Sequence, residues 1–276
     1  YSNQFMHDRN LARFGYTDPA PLSQLQPTGN PDEPYKLKDS YMVQQRKHRE
    51  LLGREENGPD PRLFVCALQP YVDSVKMKID GVSAPRLVAQ CEFGKWWEMD
   101  ESKTGNNPNT FYGWPLRKYQ WLDGHLTAES RNVAGYNIYF QRLPDIYLMY
   151  AEIMKDSDPK VALEYINKVK RRAYGYPVDS PSPIDYKSLT DRTKTVDPAD
   201  HLANNPLLYE RWIETFGEMN WWEHVRRLRL GEQEAKFYKT VCGPGLGVTN
   251  IVWNDRTYAM PIPSLELEGN PHPGMV

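Results

Sequence analysis

The chain has 276 residues, enough for one large domain or two small ones. Its 34 Lys and Arg stand against 36 Asp and Glu, a net charge of −2, so it lacks the footprint of a nucleic-acid or anionic-membrane binder. Cys66, Cys91 and Cys242 form no C-x-x-C pair, which excludes a disulfide framework and a zinc site, and no apolar run reaches the length of a membrane span.

With 18 Tyr and 8 Trp, the chain has enough large rings either to build a core or to stack on flat ligands. It opens at Tyr1, with neither an initiating Met nor a signal peptide, and reads as a fragment or processed product. Residues 1–36 are turn-rich (Asp18-Pro19, Pro21, Pro27, Gly29, Pro31, Pro34), with Tyr16 and Tyr35 as isolated aromatics. A polar helix is expected over 37–52, closed by Gly53. The apolar run 63–68 fits a strand or a buried helical turn, and 70–95 are ambiguous. Rings are densest over 96–123: Trp96, Trp97, Phe111, Tyr112, Trp114, Tyr119 and Trp121, around the turn residues Gly105 to Asn109. A loop and a short extended piece, 136–140, follow.

Residues 142–175 organise the rest. Ile146, Met149, Tyr150 and Ile153 recur at i, i+3, i+4, i+7 and predict one helix with that apolar face. Ala162, Tyr165, Ile166, Val169 and Ala173 predict a second, folded back on the first. Asp158 suits an N-cap and Pro159 the first helical position. Lys168, Lys170, Arg171 and Arg172 crowd the C-terminal pole of the dipole, and Gly175 offers a left-handed stop. A Pro-, Ser- and Asp-rich insertion spans 176–204. Asn205-Pro206 opens a third helix with the stripe Tyr209, Trp212, Ile213, Phe216, continued by Trp221 and Trp222. Arg226, Arg227 and Arg229 with Gly231 end it, the Arg run being read as a solvated helix end. From Gly243 the chain is expected to wrap as loop.

Chemical motifs are sparse. Six scattered His give no H-E-x-x-H. The segment 243–247 is glycine-rich without G-x-G-x-x-G spacing, and Pro244 removes a donor that a phosphate would want. Asp100 to Gly105 resembles half a calcium loop, but its twelfth position is Phe111. Glu98, Asp100 and Glu101 beside Trp96 and Trp97 could serve glycoside hydrolysis, or hydrogen-bond sugar hydroxyls without catalysis.

The helical motifs resemble the SusD/RagB family of outer-membrane nutrient-binding lipoproteins of Bacteroidetes. Arg142, Asp145, Leu148, Met149, Tyr150, Ala151 and Glu152 match one helix signature. Ala162, Leu163, Ile166, Asn167, Val169, Arg172 and Ala173 match the next. Glu210, Arg211, Glu214, Glu218, Trp221, Trp222, Glu223 and Arg226 match a third. Asp60-Pro61-Arg62-Leu63, Leu116 to Tyr119, and the tail Pro261-Ile262-Pro263, Glu266, Asn270-Pro271, Pro273-Gly274 follow the family pattern. Asn220 and His272 depart from it, standing where the family has Arg and Asn. The resemblance covers the C-terminal half of such a protein.

It implies a mainly α fold of tetratricopeptide-like helix pairs with long irregular loops, a SusD-like α–α superhelix. The regions would be a loop-rich ligand-binding part (1–141), a helical repeat core (142–231) and a C-terminal wrapping segment (232–276). It implies non-catalytic capture of glycan or peptide nutrients at the cell surface, without cofactor or metal. Delivery would be to a SusC-like TonB-dependent transporter, with a lipid anchor on the missing N-terminal part. The resemblance names no ligand contact. Ring chemistry nominates Trp96, Trp97, Trp114, Tyr16 and Tyr35 as the stacking residues, with affinities of roughly −8 to −4 kcal/mol at open surface sites. The rival readings are a helical-repeat scaffold that binds proteins only and a glycoside hydrolase using Glu98 and Glu101.

Overall fold

A computed structural model describes residues 5–6, 8–16, 25–30, 33–38, 58–69, 73–79, 82–87, 91–92, 112–118, 140–218, 220–239 and 253–259. The chain divides into two compact units, Tyr1–Glu218 and Met219–Val276. In chain order the first carries β1 (Phe5–Met6), α1 (Asp8–Arg13), β2 (Leu25–Asn30), β3 (Glu33–Leu37), α2 (Arg62–Cys66), β4 (Ser74–Ile79), β5 (Val82–Leu87), β6 (Cys91–Glu92), β7 (Tyr112–Pro115), α3 (Leu143–Met154), α4 (Pro159–Ala173) and α5 (Pro206–Glu214). The fold is mainly α, with α3 and α4 paired and α5 packed against both.

Local sequence explains the helix ends. Asp145 accepts the Arg142 backbone N–H at 2.8 Å, Asp158 accepts from Val161 at 3.2 Å and Asn205 accepts from Leu208 at 3.1 Å. Each satisfies a donor that the first turn leaves open. Gly175, at φ +73°, closes α4 in the left-handed region, and Tyr176 donates back to the Arg171 carbonyl.

The face that α3 buries is not the one its periodicity predicts. Leu148 and Ala151 enter the core with Ala162, Ile166, Val169, Tyr186 and Leu207, and Tyr147 and Met154 pack at its edge. Ile146, Tyr150 and Ile153 lie outward, at 43%, 39% and 73% exposure. The helix is apolar on two sides, and the small Ala151 allows the close approach to α4. On α4 the expected face holds, with Ala162, Ile166 and Val169 buried. The insertion after it packs as well. The Asn167 amide donates to the Tyr186 carbonyl (3.0 Å) and accepts its N–H (2.8 Å), seating the Tyr186 ring inside.

A second cluster forms where α1 meets α5: Phe14, Trp212 and Phe216 hold ring centroids 5.1–5.2 Å apart. The expected third helix stops at Glu214. Thr215 caps it, and Gly217, at φ +76°, turns the chain before the next helix begins at Asn220.

Small antiparallel pairings decorate this framework. Within the turn-rich start, β2 and β3 form a hairpin with Pro27 opposite Tyr35. A two-stranded ribbon is all edge, so it tolerates Pro27. The ambiguous 70–95 stretch holds the hairpin β4–β5, and the sheet order elsewhere is β1-β7-β6. The run 63–68 is mostly the buried helical turn α2, followed by a single bridge from Ala67 to Leu116. Of the expected helix at 37–52, Leu37 instead ends β3, and 39–52 lie outside the described residues.

The second unit holds α6 (Asn220–Arg227), α7 (Gly231–Lys239) and a 3₁₀ turn, Asp255–Tyr258. Gly231 opens α7 rather than only ending the preceding helix. A Cβ there would come within 1.8 Å of the Trp253 indole, so only glycine fits. Arg226 is not merely solvated: its Nε donates to the Tyr258 carbonyl at 2.7 Å. Trp222 and Trp253 lie 5.5 Å apart, and Trp253 and Tyr258 5.3 Å. Among the described residues no helix is long and apolar enough to cross a membrane.

Candidate functional site

The chemically dense part of the first unit is an ionic network between its helices. Arg62, on α2, donates from Nε and Nη2 to the Asp60 carboxylate, both at 2.8 Å. Its Nη1 reaches Glu210 at 2.7 Å and Glu214 at 3.4 Å. Arg142 meets Glu214 at 2.9 Å and Glu218 at 3.0 Å, and Arg172 meets Glu214 at 2.5 Å. Tyr186 donates to Glu210 at 2.9 Å. These acids sit at 210, 214 and 218, so the helical period and the turn after it aim all three at one seam.

Burial and pairing compete at each group. Burial pushes Glu210 up, and Arg62 only partly offsets it. Burial also acts on Glu214, but Arg62, Arg172 and Arg142 outweigh it and hold that carboxyl below its usual range. Asp60 is likewise held down by Arg62 against its burial. Lys170 is depressed to about 8 by burial, against the pull of Glu210 and Asp60. Its Nζ sits 3.5 Å over the Tyr186 ring. Shifted carboxylates can mark a catalytic site. Here Asp60, Glu210 and Glu214 are closed off from solvent and their oxygens are held by guanidiniums and the Tyr186 hydroxyl, so the network reads as a framework joint.

The sequence-nominated rings fall elsewhere. Trp114 is on β7, opposite Met6 of β1, and β7 lies against α1. Tyr16 follows α1, half-buried, its N–H donating to the Leu11 carbonyl at 2.9 Å. Tyr35 is on β3, in a separate hairpin. Trp96 and Trp97 lie outside the described residues, as do Glu98, Asp100, Glu101, Gly105 and Phe111. Among the described residues no group of His, Cys, Asp and Glu is arranged to hold a metal.

What joins β7 to the helices escaped the sequence reading. Arg117 donates its backbone N–H to the Cys66 carbonyl at 2.8 Å, and Lys118 donates to the Phe216 carbonyl at 3.0 Å and to Glu218 at 2.5 Å. Lys118 meets an acid a hundred residues away, and no local pattern reveals such a pair.

A family model described as the SusD family matches residues 55–276, most of the chain. No curated protein and no solved structure matches it.

Proposed function

We propose that this chain, which belongs to the SusD family, captures glycan nutrients on loops and small strand pairings carried by a helical framework. The family binds nutrients at the cell surface, is generally non-catalytic and is associated with the outer membrane. Within that class our reading is glycan capture for delivery to a SusC-like TonB-dependent transporter. The protein would be held at the outer membrane by a lipid anchor upstream of Tyr1. Peptide is the alternative nutrient.

The observation that carries the reading is the division of labour in the first unit. The helical acids are committed to buried ion pairs, while Trp114 stands on β7, which lies against α1, and Tyr16 follows α1 in the chain. A sugar presents an apolar ring face to indole or phenol and hydroxyls to polar neighbours, and an open site of this kind binds weakly enough for hand-over. The test is native affinity electrophoresis in gels cast with starch, xylan, mannan or β-glucan. Wild-type protein is expected to be retarded by one of them, and Trp114→Ala and Tyr16→Ala to run free. Equal retardation of wild type and both variants would remove these rings from the site, and no retardation in any gel would shift the reading to peptide.

A second reading, docking of protein partners, is favoured by one feature. Leu143, Ile146, Tyr150 and Ile153 form an exposed apolar stripe along α3. If Ile146→Glu with Ile153→Glu abolishes co-purification of a transporter and spares polysaccharide retention, both activities coexist on different faces.

A further inference from the structure

We propose that Lys118 is the positioning residue of the ligand-bearing strand, clamping β7 to the helical framework through Glu218; this rests on the reading that Trp114 contacts ligand. Three elements converge on one carboxylate. Lys118, three residues after the end of β7, donates to Glu218 Oε1 at 2.5 Å and to the Phe216 carbonyl at 3.0 Å. Arg142, at the start of α3, donates Nε to Glu218 Oε2 at 3.3 Å and approaches Oε1 with Nη2 at 3.0 Å. Glu218 itself closes the turn after α5, its N–H donating to the Thr215 carbonyl at 2.8 Å.

The turn is shaped for this. Gly217 adopts φ +76°, and a Cβ there would meet the Lys118 stem at 3.5 Å. The segment's moorings to α2 are the Ala67–Leu116 bridge, the N–H of Arg117 donating to the Cys66 carbonyl, and the Arg117 Nη1 donating to the Phe64 carbonyl at 3.3 Å. Those fix where the segment crosses α2. The lysine is the one described side chain of residues 116–118 that joins it to the α3 and α5 ends, about 13 Å along the chain from Trp114 at strand spacing. Glu218 keeps Arg142 when Lys118 is removed, so cutting the clamp leaves no orphaned acid in the framework. That separates positioning from stability.

The experiment uses the full chain with Lys118→Met, Lys118→Arg as the conservative variant, and Trp114→Ala. Hydrogen exchange is read on peptides covering 112–118, 159–173 and 206–214, beside retardation in the polysaccharide gels. In Lys118→Met, exchange over 112–118 is expected to quicken about tenfold while 159–173 and 206–214 keep their rates, since local opening is a separate event from global unfolding. Retardation should fall to the level of Trp114→Ala, and Lys118→Arg should restore both. Unchanged exchange over 112–118, or equal acceleration in all three peptides, overturns the clamp. Loosening of 112–118 sustains the clamp even where Trp114→Ala leaves retardation unaltered, and in that case it is the proposed function that fails.

Discussion

The interior between the helices and the outer face of α3 have exchanged their usual contents. Arg13, Arg171, Arg211, Asp60 and Glu210 are buried, while Leu143, Ile146, Tyr150 and Ile153 face outward. Buried charges fix geometry, because each guanidinium accepts only particular partners at particular angles. Arg171 shows this: it takes Glu164 at 2.7 Å and Asp185 at 2.6 Å and so binds the 176–204 insertion to α4. Of the outward residues, Tyr150 packs its ring against Tyr165 of α4 at 4.7 Å, while Leu143, Ile146 and Ile153 face solvent. The framework is specified from within, and the outer stripe contributes little to it.

The sharpest way to break that contrast is Arg62→Met. It strands Asp60, Glu210 and one side of Glu214, all buried. The loss expected is ~3–5 kcal/mol, the cost of leaving buried charge uncompensated. Urea unfolding of wild type and variant measures it. Adding Glu210→Gln to Arg62→Met should recover part of the loss, because it removes one stranded charge. A single-variant loss below about 1 kcal/mol would mean that the network is wet and the contrast false.

Leu148→Ala comes next. Leu148 has no exposure and stands at the centre of the α3–α4 core. Truncating it should cost about 3 kcal/mol through lost transfer energy and the cavity left behind. The same unfolding curves report it, with an unchanged denaturant slope if the fold survives.

A third test sharpens the charged interior through pH. Lys170 lies against the Tyr186 ring, with Glu210, Asp60, Arg62, Tyr174 and Lys194 around it, and burial depresses it from 10.5 to about 8. Its folded value is below its unfolded one. Under pH 8 the lysine is charged in both states and folding carries the full burden of burying the charge. Between about 8 and 10.5 the unfolded chain holds the proton and the folded one does not, so stability rises with pH. Relative to Lys170→Met, wild type should gain ~2 kcal/mol between pH 7 and pH 10. Subtracting the variant cancels Tyr186 and Tyr209, whose raised values work in the opposite direction at the alkaline end. A difference that stays flat from pH 7 to 10 would show that Lys170 is hydrated.

How much of this was legible follows from the range of the interactions. Caps at Asp158 and Asn205, the stop at Gly175 and the buried set Ala162, Ile166, Val169 are local, and the periodicity and end signals predict them. The α3 face was misassigned because two apolar stripes share that helix. Periodicity finds stripes but does not say which meets a partner. The hairpin β4–β5 has its signal in the alternation of Val75, Met77 and Ile79 with Lys76 and Lys78, but the run is too short to decide the element alone. The break at Gly217 was hidden because Phe216 and Trp221 continue the ring pattern across it. Lys118 and Glu218 meet across a hundred residues, and nothing short-range announces such a pair. For the candidate site the sequence offers residue types and not their placement: Trp114 falls on β7, Tyr16 follows α1, Tyr35 falls on a separate hairpin, and Trp96 and Trp97 lie outside the described residues.

The smallest effect is the one that decides what the outer stripe is for. Ile153 is as apolar as Leu148, on the same helix, five residues away, yet 73% exposed. Its side chain has surrendered little water, so Ile153→Ala should change the unfolding free energy by no more than about 0.5 kcal/mol. A loss near that of Leu148→Ala would mean that some part of the chain covers α3 in solution and that the exposed stripe is core. If the change is as small as expected, the retention of a large aliphatic side chain there has no folding rationale. Glutamate at the same position then tests the remaining role: it should leave the unfolding curve in place and disrupt whatever associates with that face.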